Sequence, residues 1–138
     1  MADKLLLEVT TPSRMVVSEE VDMVVAPGEW GEFGVLPNHA AYLTAIKLGE
    51  LRYKVGNKTE YVIVSGGFEE IVADRATFLV TSAEKAHEVD VARALKAKER
   101  AEQRLQAVAA KREAIDVARA QAALQRALWR LKIAERAK

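Results

Sequence analysis

The stretch Ala76-Thr77-Phe78-Leu79-Val80-Thr81-Ser82-Ala83-Glu84-Lys85-Ala86-His87-Glu88-Val89-Asp90-Val91-Ala92-Arg93-Ala94 holds the boundary on which the fold turns. Ala76–Thr81 has the β-branched and aromatic content of a strand. Asp90 is a good N-cap for a helix beginning at Val91, because its carboxylate can accept a backbone N–H of the first turn. Composition changes between them, near Ala83. All 7 Gly and all 3 Pro of the 138 residues lie at or before Gly67, whereas 16 Ala follow residue 83. Glycine and proline break regular structure and alanine favours helix most, so the boundary is physical. Charge divides there too. Residues 1–83 carry 7 basic and 12 acidic side chains, and residues 84–138 carry 14 and 8, an asymmetry hidden by a net charge of +1.

Upstream, short apolar runs alternate with turn signals. Leu5–Thr10 precedes Thr11-Pro12-Ser13, Val21–Ala26 stops at Pro27-Gly28, and Phe33–Leu36 stops at Pro37-Asn38. Ala41–Lys47 is followed by Leu48-Gly49. Gly56-Asn57 then sits between the alternating runs Glu50–Val55 and Lys58–Ser65, a strong hairpin signal. Phe68–Val72 and Ala76–Thr81 complete the series. This spacing predicts an antiparallel sandwich or flattened barrel over residues 1–83.

Downstream the pattern is helical. Val91, Ala94, Ala101, Leu105 and Val108 form one apolar stripe. Val117, Leu124 and Leu131, with Ala120 and Leu128, form a second. One helix over the whole region would be about 70 Å long, at roughly 1.5 Å per residue. The sequence therefore favours a break near Ala110, yet Ala109–Ala114 contains no helix breaker, so both a hairpin and a continuous helix stay open. Alanine stripes bury little area, so the docking they support is modest and easily biased. Arg112, Arg119 and Arg126 recur every seven residues, with Arg130 four further on. Such a cationic row suits an anionic partner, either carboxylates or phosphates.

Composition excludes several chemistries. With no Cys there is no disulfide framework, thiolate metal site or thiol nucleophile. The 2 His, His39 and His87, cannot make a histidine metal centre, so no metal site is expected. His39 reads as a loop histidine with structural hydrogen bonds, and His87 as an exposed junction residue. Gly28, Gly31 and Gly34 lack the lysine and the strand–loop–helix context of a phosphate cradle. The acidic pairs Glu19-Glu20 and Glu69-Glu70 read as solvated edges rather than as general acid–base pairs. No catalytic constellation emerges. Nucleic-acid binding is disfavoured, since the basic half offers only Trp129 for stacking. The N-terminal residues form neither a signal peptide nor a membrane span.

The segment Val21-Asp22-Met23-Val24-Val25-Ala26-Pro27-Gly28-Glu29-Trp30-Gly31-Glu32-Phe33-Gly34-Val35-Leu36-Pro37-Asn38-His39-Ala40 resembles the epsilon subunit of bacterial F-type ATP synthases. Val9-Thr10-Thr11-Pro12, Gly49–Tyr53, Val64–Phe68, Ala83-Glu84, Asp90–Ala94 and Arg126–Leu131 agree in order and spacing, so the likeness spans nearly the whole chain. It implies an N-terminal β-sandwich of about ten strands (1–83) followed by a C-terminal antiparallel two-helix hairpin (84–138). It implies a non-catalytic central-stalk subunit of a proton- or sodium-driven rotary complex, held to the gamma subunit and to the loops of the c-ring. In an extended state its helices reach the alpha and beta catalytic subunits and inhibit ATP hydrolysis. The place implied is the cytoplasmic face of the bacterial inner membrane, peripheral to it. A generic adaptor with a sandwich and a helical arm is the alternative reading.

The resemblance also assigns residues. Glu29, Glu32 and His39 correspond to the c-ring contact, with Glu32 as the carboxylate best placed to meet a basic loop. The family pattern has Glu where this chain has Trp30, and Gly where it has Asn38. No cofactor is required. ATP is implied as a regulatory ligand of the folded hairpin, through a motif matched by Val89, Asp90, Arg93 and Ala94. Glu84 and Asp90 fall near adenine and ribose, and Arg93, Arg126 and Arg130 around the phosphates. In the extended state Arg112, Arg119, Arg126 and Arg130 face acidic groups of the beta subunits.

Overall fold

The computed structural model describes residues 3–109 and 117–138. It separates into two compact units, one ending at Ala86 and the other beginning at His87.

The first unit contains eight strands among the described residues. They are β1 (Leu5–Thr10), β2 (Met15–Val21), β3 (Met23–Gly28), β4 (Gly31–Val35), β5 (Tyr42–Ile46), β6 (Gly49–Val55), β7 (Lys58–Val72) and β8 (Arg75–Lys85). Hydrogen bonding follows the order β2-β1-β8-β7-β5-β3-β4, and β6 bridges β3 and β7. Period-two alternation decides which side chains face inward. In β1, Leu5, Leu7 and Val9 are buried while their neighbours are half-exposed. They meet Val24, Leu51, Val64 and Phe78 in a single apolar core.

The predicted hairpin is present. Val55 pairs with Lys58 across Gly56-Asn57, and Gly56 takes the φ of +61° that favours glycine at such a turn. Two features differ from expectation. The resemblance implied about ten strands, whereas Lys58–Ser65 and Phe68–Val72 belong to one 15-residue strand, β7. Gly66 and Gly67, with φ of +54° and +139°, carry the chain onward rather than ending it. A Cβ on Gly67 would lie 2.1 Å from the Leu79 carbonyl oxygen, so only glycine lets the two strands approach here. The sheet is also not purely antiparallel, because β1 runs parallel to β8.

A short 3-10 turn, Ala86–Glu88, spans the boundary between the units and leaves His87 exposed. Helices α1 (Val91–Ala109) and α2 (Val117–Glu135) follow and pack on one another. Asp90 caps α1 as its sequence position predicts. The Arg93 N–H donates to its Oδ1 at 3.0 Å, and the Ala94 N–H to its carbonyl at 3.0 Å. The expected stripes are redistributed. Ala94 and Ala101 are buried on α1, and Ala120, Ala127 and Ala134 recur every seven residues as buried positions on α2. Leu124 and Leu131 are half-buried, whereas Val117, Leu128 and Val91 are exposed. Methyl groups line most of the buried face and allow close helix approach, and Ile133, fully buried beside Ala134, is the one large side chain among the buried residues of the described helices. No helix among the described residues is long and apolar enough to cross a membrane.

Candidate interaction sites

Three surfaces combine unusual exposure or charge with a defined backbone. The first is the tip of the β3–β4 hairpin. Gly28 pairs with Gly31, so Glu29 and Trp30 form the turn. Gly28 is required here: an added Cβ would lie 2.9 Å from both the Gly31 oxygen and the Phe33 ring. The tip is tied to β5 and its exit. The Glu29 N–H donates to the Ala45 carbonyl at 2.9 Å, and the Lys47 N–H to the Pro27 carbonyl at 3.0 Å. Glu29 is exposed. Glu32 is held by the Arg52 guanidinium, whose two terminal nitrogens donate to its two oxygens at 3.0 and 3.1 Å. This fork holds the Glu32 carboxyl below the usual range and raises Arg52. Arg52 also reaches Glu50 at 3.4 Å.

His39 lies beyond the far end of β4. Its Nδ1–H donates to the Ala40 carbonyl at 2.6 Å, and its ring meets the edge of Tyr42, which in turn meets Phe33. Of the three expected contact residues, Glu29 and Glu32 therefore share the hairpin, whereas His39 has its own loop partners. Asn38 occupies the left-handed region at φ +68°, which explains why an amide can stand where the family pattern has glycine. Its N–H donates to Asp74 Oδ1 and its side-chain nitrogen to Asp3 Oδ2.

The second surface is the outer face of β5, β7 and β8. Cross-strand pairing places Ala45, Phe68, Leu79 and Thr10 in one row across four strands. Leu43, Phe68 and Leu79 are 70%, 62% and 59% exposed. The sequence reading did not single them out. The signal was available: with Ile71 and Phe78 inward, alternation sends Phe68 and Leu79 outward. The same alternation corrects the reading of Glu69-Glu70 as a solvated edge. Glu70 is exposed, but Glu69 is fully buried, and neither of its oxygens has a hydrogen-bond partner. Burial, and secondarily the charge of Glu70, push its carboxyl up to about 7.

The third surface belongs to the helices. Arg126 and Arg130 are half-buried one turn apart on α2, and Arg119 is exposed on the same helix. Arg93 lies in the first turn of α1 and Arg130 toward the C-terminal end of α2, two helices that pack on one another. Asp90 is engaged by the cap, Val89 is half-buried and Ala94 lies in the seam. Glu84 is a half-buried β8 residue of the first unit, paired with Ile63. Arg112 lies outside the described residues. No group of three or more metal-ligating carboxylate or imidazole side chains occurs among the described residues.

Comparison with known proteins identifies the architecture. Residues 4–86 match the ATP synthase delta/epsilon chain beta-sandwich domain, and residues 87–135 its long alpha-helix domain. The chain belongs to the ATP synthase delta/epsilon family. It is 52% identical to the ATP synthase epsilon chain of Syntrophobacter fumaroxidans over 76% of its own length and 78% of that chain. It is 52% identical to that of Nitratidesulfovibrio vulgaris over 80% and 83%. Its fold is similar to a chain of the Euglena gracilis mitochondrial ATP synthase, solved with OSCP, F1 and c-ring. The TM-score is 0.65 at 24% identity, over 96% of this chain and 78% of that one. By family identity the protein is a non-catalytic stalk subunit of ATP synthase.

Proposed function

We propose that this subunit joins the shaft of the central stalk to the ion-driven c-ring and restrains ATP hydrolysis through its helical unit. The observation that carries this reading is the outer face of β5, β7 and β8. Leu43, Phe68 and Leu79 stand exposed on a hydrogen-bonded sheet that fixes their spacing, and apolar groups so arranged favour a permanent partner. That partner is the gamma subunit. The β3–β4 tip meets the c-ring loops, and the assembly holds the chain at the cytoplasmic face of the membrane. The coupling ion is a proton or sodium. Co-expression with gamma tests the docking face. The Phe68→Asp/Leu79→Asp double variant should keep its circular dichroism yet lose co-purification; undiminished co-purification overturns the assignment.

The helical unit is the regulatory part. The alanine seam buries little area, so helix pairing is weak enough to be shifted by a ligand worth a few kcal/mol. Arg126 and Arg130 repel one another at i,i+4, and an anion between them relieves that repulsion. ATP is the anion in the folded hairpin, held by Arg93, Arg126 and Arg130, with Asp90 toward the nucleoside. Carboxylates of the beta subunits, meeting Arg112, Arg119, Arg126 and Arg130, are its counterpart in the extended, inhibiting state. Calorimetric titration with ATP should show saturable binding that disappears in Arg126→Ala/Arg130→Ala. The same variant should relieve inhibition in the reassembled complex. No heat at millimolar ATP would remove the nucleotide from this scheme.

A further inference from the structure

We propose that Trp30 is the anchor of the c-ring contact, an exposed indole that receives a basic side chain from a ring loop. The inference rests on the coupling role proposed above. Trp30 is 89% exposed at the apex of a two-residue turn. Turn positions are usually filled by Gly, Asn, Asp or Ser for backbone reasons, none of which an indole supplies. Nothing in the packing of the strands requires the ring either, because almost all of it lies in solvent.

The tip presents this ring on a fixed backbone. Two hydrogen bonds tie the turn to β5 and its exit, and the Phe33 ring fills the space beside Gly28. A rigid aromatic loses little conformational freedom on binding, which is why Trp is enriched among residues that dominate interfaces. The charges beside it select the ligand. Glu29 follows Gly28 at the apex, and Glu32 is bonded through both oxygens to Arg52. Glu32 is therefore already satisfied by a cation of its own chain, and recognition at the tip falls to the indole and to Glu29. An aromatic face next to a carboxylate attracts a guanidinium or ammonium group. Glu29, Glu32 and Glu50 stand against Lys47 and Arg52, a balance that disfavours an anionic lipid surface and favours a cationic protein loop. In this chain an aromatic–cation contact takes over what the family pattern assigns to a carboxylate at the same position.

The test uses the subunit assembled with gamma, immobilised and titrated with purified c-ring in lipid nanodiscs, beside protein-free discs of the same anionic lipid. Trp30→Ala should weaken ring binding by about tenfold, mainly through faster dissociation, while Trp30→Phe stays within about threefold because a ring face remains. With Trp129 replaced by Phe, Trp30 is the sole indole, and its emission should shift to the blue when the ring binds. Protein-free discs should give neither binding nor shift. Equal binding of wild type and Trp30→Ala, or an unshifted emission, overturns the proposal. So does Trp30-dependent capture of protein-free discs, which would make the tip a lipid anchor. A wild-type complex that does not bind the ring at all instead defeats the coupling role, and the anchor with it.

Discussion

The sandwich and the helical pair bury their interiors by opposite means. The sandwich fills its core with Leu, Val, Ile and Phe side chains fixed by hydrogen bonds between strands distant in sequence. The helices satisfy their backbone locally and bury mainly alanines, with Ile133 as the one large buried side chain, so close fit counts for more there than buried volume. Removing one large side chain should therefore damage the sandwich most, whereas adding volume should damage the helices most.

The largest expected effect breaks the first half of that contrast. Phe78 is fully buried, and Phe78→Ala should cost about 3–5 kcal/mol of sandwich stability in denaturant unfolding. An unchanged midpoint would mean the core is not close-packed there. The second half is tested by Ala127→Leu, which should loosen the helical pair by about 1–3 kcal/mol, read from Trp129 fluorescence, although it adds apolar area. Stabilisation would show that area, and not fit, limits the seam.

Glu69 gives an effect that depends on pH. Its carboxyl is pushed up to about 7 in the fold, above the ordinary 4.5, so the native state holds the proton more tightly than the unfolded chain does. The contribution of Glu69 to sandwich stability should be fully present below about 4.5, decline as pH rises toward about 7, and level off above that. Glu69→Leu should flatten this slope and gain about 1–2 kcal/mol at alkaline pH. A slope unchanged by the substitution would place the titration elsewhere. The smallest effect is at the boundary of the units. Asp90→Ala should cost the helix start about 1 kcal/mol and leave the sandwich untouched.

The same contrast explains what the sequence could reveal. Local chemistry was legible: Gly56-Asn57 as a hairpin turn, Asp90 as a cap, His39 as a loop residue held by the carbonyl of Ala40. These depend on neighbours within a few positions. Strand β2 was missed because only Val16, Val17 and Val21 point inward, and Ser18-Glu19-Glu20 hides the alternation. The Gly66-Gly67 pair resembled a strand end, because its need for glycine comes from Leu79, which lies across the sheet. The Arg52–Glu32 fork joins residues 20 apart, and no local pattern announces it. Glu69 was read by its chemistry rather than its parity. On α2 the heptad Val117, Leu124 and Leu131 was read with Ala120 beside it, and the buried face is Ala120, Ala127 and Ala134 with Ile133.

Strand β7 has a mechanical consequence. Its first half is bonded to β6 and its second half to β5, while β8 runs beside both. In the coupling role proposed above, a load entering on the β5 side would pass to β6 along one covalent backbone, a continuous beam braced by β8 from Val62 to Val72. Shearing the two halves apart would require breaking the ladder to β8 rather than sliding one layer over another. In that proposed role, the same stiffness would let rotation at one end arrive as rotation at the other.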